Sequence, residues 1–199
     1  MARVGLARTV TRQLGEPSRL AELVLNRANR RANSCALELL DIQPTEHVIE
    51  IGFGGGRALA EVARGAGFAA GVDRSRAAVT SARNRFAAEI EAGRVEIAEA
   101  SVEALPFAER SFHCAFTVHT IYFWPQPDEG LAEVARVLRP GGRLVLVTSL
   151  KPPPKAIAKH GFGHLERSEQ QIMLSRAGFT DIEFVTRGAA LFATARRAP

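Results

Sequence analysis

Glu50, Gly52, Gly54 and Gly56 stand at alternate positions in the run VIEIGFGGGRAL, residues 48–59. Glycines in this rhythm, between an apolar run and helix-forming residues, mark a strand-to-helix turn whose backbone approaches a bound cofactor. Asp73 closes the next apolar run, nineteen residues past Gly54. A carboxylate there accepts both hydrogen bonds of a ribose diol. Alone, an Asp after a strand is often only a helix cap.

Hydride-transfer dinucleotide turns read G-x-G-x-x-G. Counted from Gly52, Arg57 stands where the third glycine belongs, and the chain has no Tyr-x-x-x-Lys pair, which disfavours a nicotinamide-dependent reductase. The spacing present is E-x-G-x-G-x-G. It resembles the signature of class I S-adenosylmethionine-dependent methyltransferases of the small-molecule type. Two further stretches resemble that family: EASVEALPFAERSF, residues 99–112, in its acidic-x-x-x-LPF region, and LRPGGRLVL, residues 138–146, in its turn into the fifth strand. The resemblance covers residues 46–150 and the final hairpin.

This resemblance implies S-adenosylmethionine as cofactor and S-adenosylhomocysteine as product. The cofactor has no phosphate; its ammonium and sulfonium favour carboxylate and carbonyl neighbours. Glu50 then helps organise the methionine end, the three glycines let backbone approach it, and Asp73 takes the ribose. Arg74 lies beside the adenine. Ser101 occupies the place of the acid that receives the adenine amino group, and the Val102 amide reaches a ring nitrogen. His113 replaces the Asp that commonly opens the fourth strand. Because of these two departures, a non-catalytic binding or scaffold protein on the same fold is the alternative reading.

In open α/β sheets ligands bind beyond the carboxyl ends of the strands. The segment at that end of the fourth strand is VHTIYFW, residues 118–124. His119 follows the strand directly and is the first candidate to touch substrate or cofactor. Tyr122 is a second catalytic candidate, and with Phe123 and Trp124 it either lines an aromatic pocket or packs under the next helix. His160 and His164 lie in a Gly-rich loop placed to close over substrate, and His164 is the third catalytic candidate. Gly161 and Gly163 argue against a helical metal pair there, and no third ligand appears, so no metal is expected. The segments that amino- and cytosine-directed DNA methyltransferases carry are absent, which argues against nucleic acid. The acceptor class left is a small organic molecule or lipid headgroup, methylated at O or N.

The elements that position these residues alternate. Strands are expected at His47–Ile51, Ala69–Asp73, Arg94–Glu99, Phe112–Val118 and Arg143–Leu150, nearly all apolar. Helices are expected at Arg57–Arg64, Ser75–Ala92, Asp128–Leu138 and Ser168–Ala177. Apolar strands separated by helices indicate a parallel sheet covered on both faces. Asp181–Arg187 and Ala189–Arg196, with Gly188 between them, form an antiparallel hairpin. The fold class is α/β: a Rossmann-like, seven-stranded, mostly parallel sheet with a C-terminal antiparallel hairpin, helices on both faces and an N-terminal helical cap. A single domain spans 1–199, with the cap at 1–45, the cofactor-binding core at 46–150 and the substrate-side loop, helix and hairpin at 151–199.

The net charge of +5 resides in residues 1–31, which hold seven Arg against Glu16 and Glu22; the remaining 168 residues are balanced. A helical arm of this kind, with Leu20, Leu23, Val24 and Arg27 on one stripe, fits a solvated amphipathic helix, a peripheral membrane contact, an acidic partner or an anionic substrate. The two cysteines, Cys35 and Cys114, make no disulfide framework. With no apolar run long enough to cross a bilayer and no secretory signal, a reducing, cytoplasmic setting is expected.

Overall fold

The computed structural model describes residues 19–152 and 164–199, with side chains described from residue 29. Helix α1 (Arg19–Leu40) precedes strand β1 (His47–Ile51), helix α2 (Arg57–Gly65) and strand β2 (Phe68–Asp73). Helices α3 (Arg76–Arg85) and α4 (Ala87–Glu91) lead to β3 (Val95–Glu99) and β4 (Phe112–Val118). Then come α5 (Pro127–Val137), β5 (Leu138–Ser149), α6 (Arg167–Arg176), β6 (Phe179–Arg187) and β7 (Ala190–Arg197). The leading arm 1–18, the side chains of the Leu20 stripe and His160 lie outside the described residues.

One seven-stranded sheet runs in the order β3-β2-β1-β4-β5-β7-β6. Pairings from β3 through β5 are parallel, and β7 runs antiparallel to both β5 and β6. The strand order reverses between β1 and β4, which opens a crevice at their carboxyl ends. Alternate residues of each strand face opposite layers. Val48, Ala69, Phe116 and Val147 pack against α1, α2 and α3, where Leu40, Leu59 and Val79 are buried. Ile49, Ala70, Leu144 and Leu146 pack against α5 and α6 through Leu131, Val134 and Leu174. Each such Leu, Ile or Val contributes roughly 1.5–3 kcal/mol on burial, so the sheet edge that carries the site is rigidly backed.

Three expectations are corrected. The helix after β2 is not continuous to Ala92: it breaks at Phe86 (φ −103°, ψ 21°). Phe86 is buried, and its ring comes within 3.5 Å of where a side chain on Gly56 would begin. Docking that ring beneath the glycine turn overrides the Ala-rich helical propensity around it. Strand β5 starts at Leu138 rather than Arg143, because Leu138 pairs with Phe112 before the register shifts to Cys114–Arg143. Pro140-Gly141-Gly142 is therefore a bulge within the strand, with Gly141 at φ +74°. The hairpin turn takes Ala189 as well as Gly188.

Candidate functional site

The turn after β1 is built on three left-handed glycines, Gly52 (φ +73°), Gly54 (φ +51°) and Gly56 (φ +66°). Gly52 donates its amide to the Val72 carbonyl at 2.7 Å, extending the β1–β2 ladder by one rung. A Cβ on Gly52 would lie 2.5 Å from Thr120 Cγ2, so the turn rests directly on the segment after β4. Thr120 is itself held: its hydroxyl bonds Thr117 and accepts from Trp124 Nε1 at 3.2 Å, while Thr117 donates to the Ile51 carbonyl at 2.9 Å. Around Gly54 the reverse holds. Nothing lies within 4 Å of where its Cβ would be, so its backbone is open to a ligand.

Glu50 and Asp73 end adjacent parallel strands on the same face of the sheet. Glu50 is only 4% exposed. Burial, with the Asp73 charge next, pushes its carboxyl well above the usual range, while the Leu59 amide on the first turn of α2 pulls the other way. Its Oε2 is buried with no hydrogen-bond partner. Asp73 is better served: Oδ2 accepts the Gly54 amide at 2.8 Å and Oδ1 accepts the Ser75 amide at 2.9 Å. Burial still raises its pKa. Two carboxyl groups so placed, one with an oxygen left unpaired and neither facing a cationic side chain in an ion pair among the described residues, leave a deficit of positive charge that a cationic ligand would fill.

At the end of β3, the Ala100 amide bonds the Asp73 carbonyl at 3.2 Å, which sets Ser101 beside the β2 end. The Ser101 hydroxyl donates to Glu103, whose other oxygen accepts the Gln126 amide at 3.1 Å. An acid thus stands two residues past the expected place and is linked to it through Ser101. Val102 is buried against α5. Arg74 reaches across to the Phe123 carbonyl at 3.0 Å.

On the β4 side, His119 adopts φ +59° and donates its amide to the Val147 carbonyl at 2.9 Å. Burial lowers its imidazole pKa, which keeps the ring neutral near neutral pH. Tyr122 lies in the short turn Ile121–Phe123, and its hydroxyl accepts the Ser149 amide at the end of β5. Trp124 packs under α5, where a Cβ on Gly130 would meet its ring at 2.8 Å; Phe123 stays exposed. His164 Nε2 faces Glu166 at 3.2 Å, and its Nδ1 is buried without a partner. Glu103, Thr120 and Gln170 are further polar residues at this edge that the sequence did not single out. Only Glu103 left a trace there, as an acid near the LPF stretch.

His113 lies at the opposite, amino-terminal edge of the sheet. Its Nδ1 accepts the His47 amide at 2.9 Å and its Nε2 meets Arg139 Nη1 at 2.7 Å, so this departure does not border the glycine turn. Cys114 beside it is buried, and burial pushes its thiol up to about 12, out of reactive range. Among the described residues, no group of three or more His, Cys, Asp or Glu is placed to hold a metal ion. No described helix is long and apolar enough to cross a membrane.

Residues 49–146 match the family model described as a methyltransferase domain. The O-methyltransferase resE of Aspergillus sclerotiorum is 28% identical over 151 residues, 70% of this chain and 56% of the relative. Methyltransferase GfsG of Streptomyces halstedii is 34% identical over 123 residues, 61% of this chain and 44% of the relative. The chain thus spans about half the length of the curated relatives it matches. A solved SAM-dependent methyltransferase from Aquifex aeolicus has the same fold, with a TM-score of 0.70 at 18% identity over 82% of this chain and 88% of that one. The glycine turn, the paired strand-end carboxylates, the strand order and these matches place the chain in the class I S-adenosylmethionine-dependent methyltransferase family.

Proposed function

We propose that this chain binds S-adenosylmethionine at the β1–α2 turn and directs its methyl group, by in-line displacement, onto an oxygen or nitrogen of a small organic acceptor. The observation that carries this reading is Glu50, a buried carboxyl with an unpaired Oε2 at the point where the strand order reverses. A desolvated carboxylate without a counter-charge is costly, and the family's cofactor brings an ammonium and a sulfonium to offset it. When bound, the cofactor supplies a methyl group activated by the sulfonium charge. Gly54 leaves room for it, and each Asp73 oxygen keeps a lone pair for the ribose hydroxyls. Gly52 and Gly56 shape the turn, Ser101 with Glu103 and the Val102 amide serve the adenine end, and Arg74 closes the outer side.

Methyl transfer needs alignment above all, and the rigid ends of β4 and β5 supply it. Neutral His119 is the group we assign to take a proton from the acceptor, with Tyr122 and His164 as the further candidates. The O-methyltransferase name of the Aspergillus relative favours oxygen. Calorimetric titration of the chain tests this reading. Saturable binding of S-adenosylhomocysteine with no response to NADPH is expected. Failure to bind S-adenosylhomocysteine would overturn the reading and leave a scaffold.

A further inference from the structure

We infer that Arg85 is a positioning residue for the cofactor, holding the Gly54–Gly55 peptide in one orientation for the amino-acid end of S-adenosylmethionine. This rests on the function proposed above and deepens it. Glycines have no side chains with which to fix a turn, and they lose more conformational freedom on ordering than other residues. Groups from other elements must therefore hold the turn after β1. Thr120 lies against Gly52, Asp73 accepts the Gly54 amide, and the Phe86 ring lies against Gly56. Arg85 adds a fourth hold: its Nη1 donates to the Gly55 carbonyl at 3.2 Å, across thirty residues of sequence.

The break in the helix after β2 makes this contact. Helix α3 ends at Arg85, where Phe86 leaves helical geometry and is buried. Two neighbouring residues thus grip two consecutive glycines, the ring against Gly56 and the guanidinium on Gly55. Arg85 Cζ stands 5.4 Å from the centroid of the Phe86 ring, a cation–π contact that keeps the guanidinium beside the turn. Among the described residues no carboxylate forms an ion pair with Arg85, so no acid draws its donors away from the Gly55 carbonyl.

Holding both flanks leaves the middle for a ligand. Asp73 takes the Gly54 amide and Arg85 the Gly55 carbonyl. The peptide between them keeps its own carbonyl and its own amide unpaired among the described residues. Nothing lies within 4 Å of where a Gly54 Cβ would be, so this backbone is open. The two edges of the peptide have opposite polarity, an acceptor on one and a donor on the other. Rotation of its plane therefore decides whether it suits an ammonium or a carboxylate, and glycines on both sides permit that rotation. Pinning the two flanking groups removes the rotation before the ligand arrives, and a site ordered beforehand binds more tightly than one the ligand must order.

Two ligands separate positioning from general damage: S-adenosylhomocysteine, and methylthioadenosine, which keeps the adenosine and the sulfur but lacks the amino-acid end. By calorimetry, Arg85→Ala is expected to weaken S-adenosylhomocysteine about ten-fold and to leave methylthioadenosine binding unchanged. Arg85→Lys, which keeps a donor of similar reach, should recover most of the loss. In the free protein, the buried Gly56 amide, bonded to the Phe53 carbonyl at 2.8 Å, reports on the turn. Its hydrogen exchange, read by NMR, should quicken about five-fold in Arg85→Ala and return toward the wild-type rate in Arg85→Lys. Unchanged S-adenosylhomocysteine affinity in Arg85→Ala, equal weakening of both ligands, or no recovery in Arg85→Lys would each overturn the inference. So would an unchanged Gly56 exchange rate, which would mean that Arg85 does not hold the turn. If the wild type binds no S-adenosylhomocysteine, the proposed function fails, and the free-protein exchange still decides whether Arg85 fixes the turn.

Discussion

The Gly54 amide donates to Asp73 Oδ2 at 2.8 Å while the Ser75 amide donates to Oδ1 at 2.9 Å. One side chain therefore holds the glycine turn after β1 against the start of α3. Asp73→Ala leaves both amides without that acceptor and is expected to cost roughly 1–3 kcal/mol of stability. It should also weaken S-adenosylhomocysteine binding at least about ten-fold, or roughly 1.4 kcal/mol. Asp73→Asn keeps one acceptor oxygen and should fall between. Urea unfolding with calorimetry checks both, and an Asp73→Ala variant with unchanged stability and affinity would contradict this role.

Gly52 combines φ +73° with contact against Thr120 Cγ2. Gly52→Ala should cost about 1–2 kcal/mol for the left-handed backbone alone, with the clash added. In a Thr120→Ser background the methyl at 2.5 Å is gone, so the loss should shrink toward the backbone part plus the milder contact with the Cβ of residue 120 at 3.0 Å. Unfolding of the four proteins forms a double-mutant cycle. Equal losses in both backgrounds would show that the turn does not rest on Thr120.

Glu50 gives a pH dependence of definite sign. Burial, then the Asp73 charge, raises its folded-state pKa above the ordinary value of 4.5. Its contribution to stability is full below the unfolded pKa and is lost as pH rises through the folded one. Glu50→Gln should therefore gain thermal stability over the wild type as pH rises, with little difference in acid. Melting curves across pH measure this, and a gap that does not change with pH would argue against a strained carboxylate.

At the other end of the sheet the sign is reversed. Burial, with the Arg139 charge next, lowers the His113 pKa below the ordinary 6.5. Stability from the neutral ring is present above the unfolded pKa and falls as pH drops below it, because protonation removes the acceptor for the His47 amide. His113→Asn keeps an acceptor that does not titrate. It should flatten the stability profile in the mildly acid range and leave S-adenosylhomocysteine affinity unchanged, since His113 does not border the glycine turn. A profile as steep as that of the wild type would assign the acid sensitivity elsewhere.

The strands were the most legible part of the sequence. His47–Ile51 and Phe112–Val118 have the same bounds in sequence and structure, because both are short, mostly apolar runs closed by turn signals. The spacing from Glu50 to Gly56 marked out the turn, which is local chain geometry, while Asp73 reaches it from the end of β2 through the pairing of the two strands. Long-range contacts left less trace. Phe86 breaks a helix because a glycine turn thirty residues away covers its ring. The bulge at Pro140 depends on a rung with Phe112. Ser149 and Gln170 meet Tyr122 and Thr148 across 27 and 22 residues of sequence. Patterning along the chain carries the turn itself and not the groups it presses against.

The central claim is that the Glu50 carboxyl, through its unpaired Oε2, holds the positive amino-acid end of the cofactor. The most direct test compares S-adenosylhomocysteine with its des-amino analogue by calorimetry, in the wild type and in Glu50→Gln. The wild type should prefer the amino-bearing ligand by about ten-fold or more, as expected for a charge-assisted hydrogen bond, and Glu50→Gln should bind the two alike. If the preference persists undiminished without the carboxylate, some other group holds the ammonium and the assignment of Glu50 is wrong.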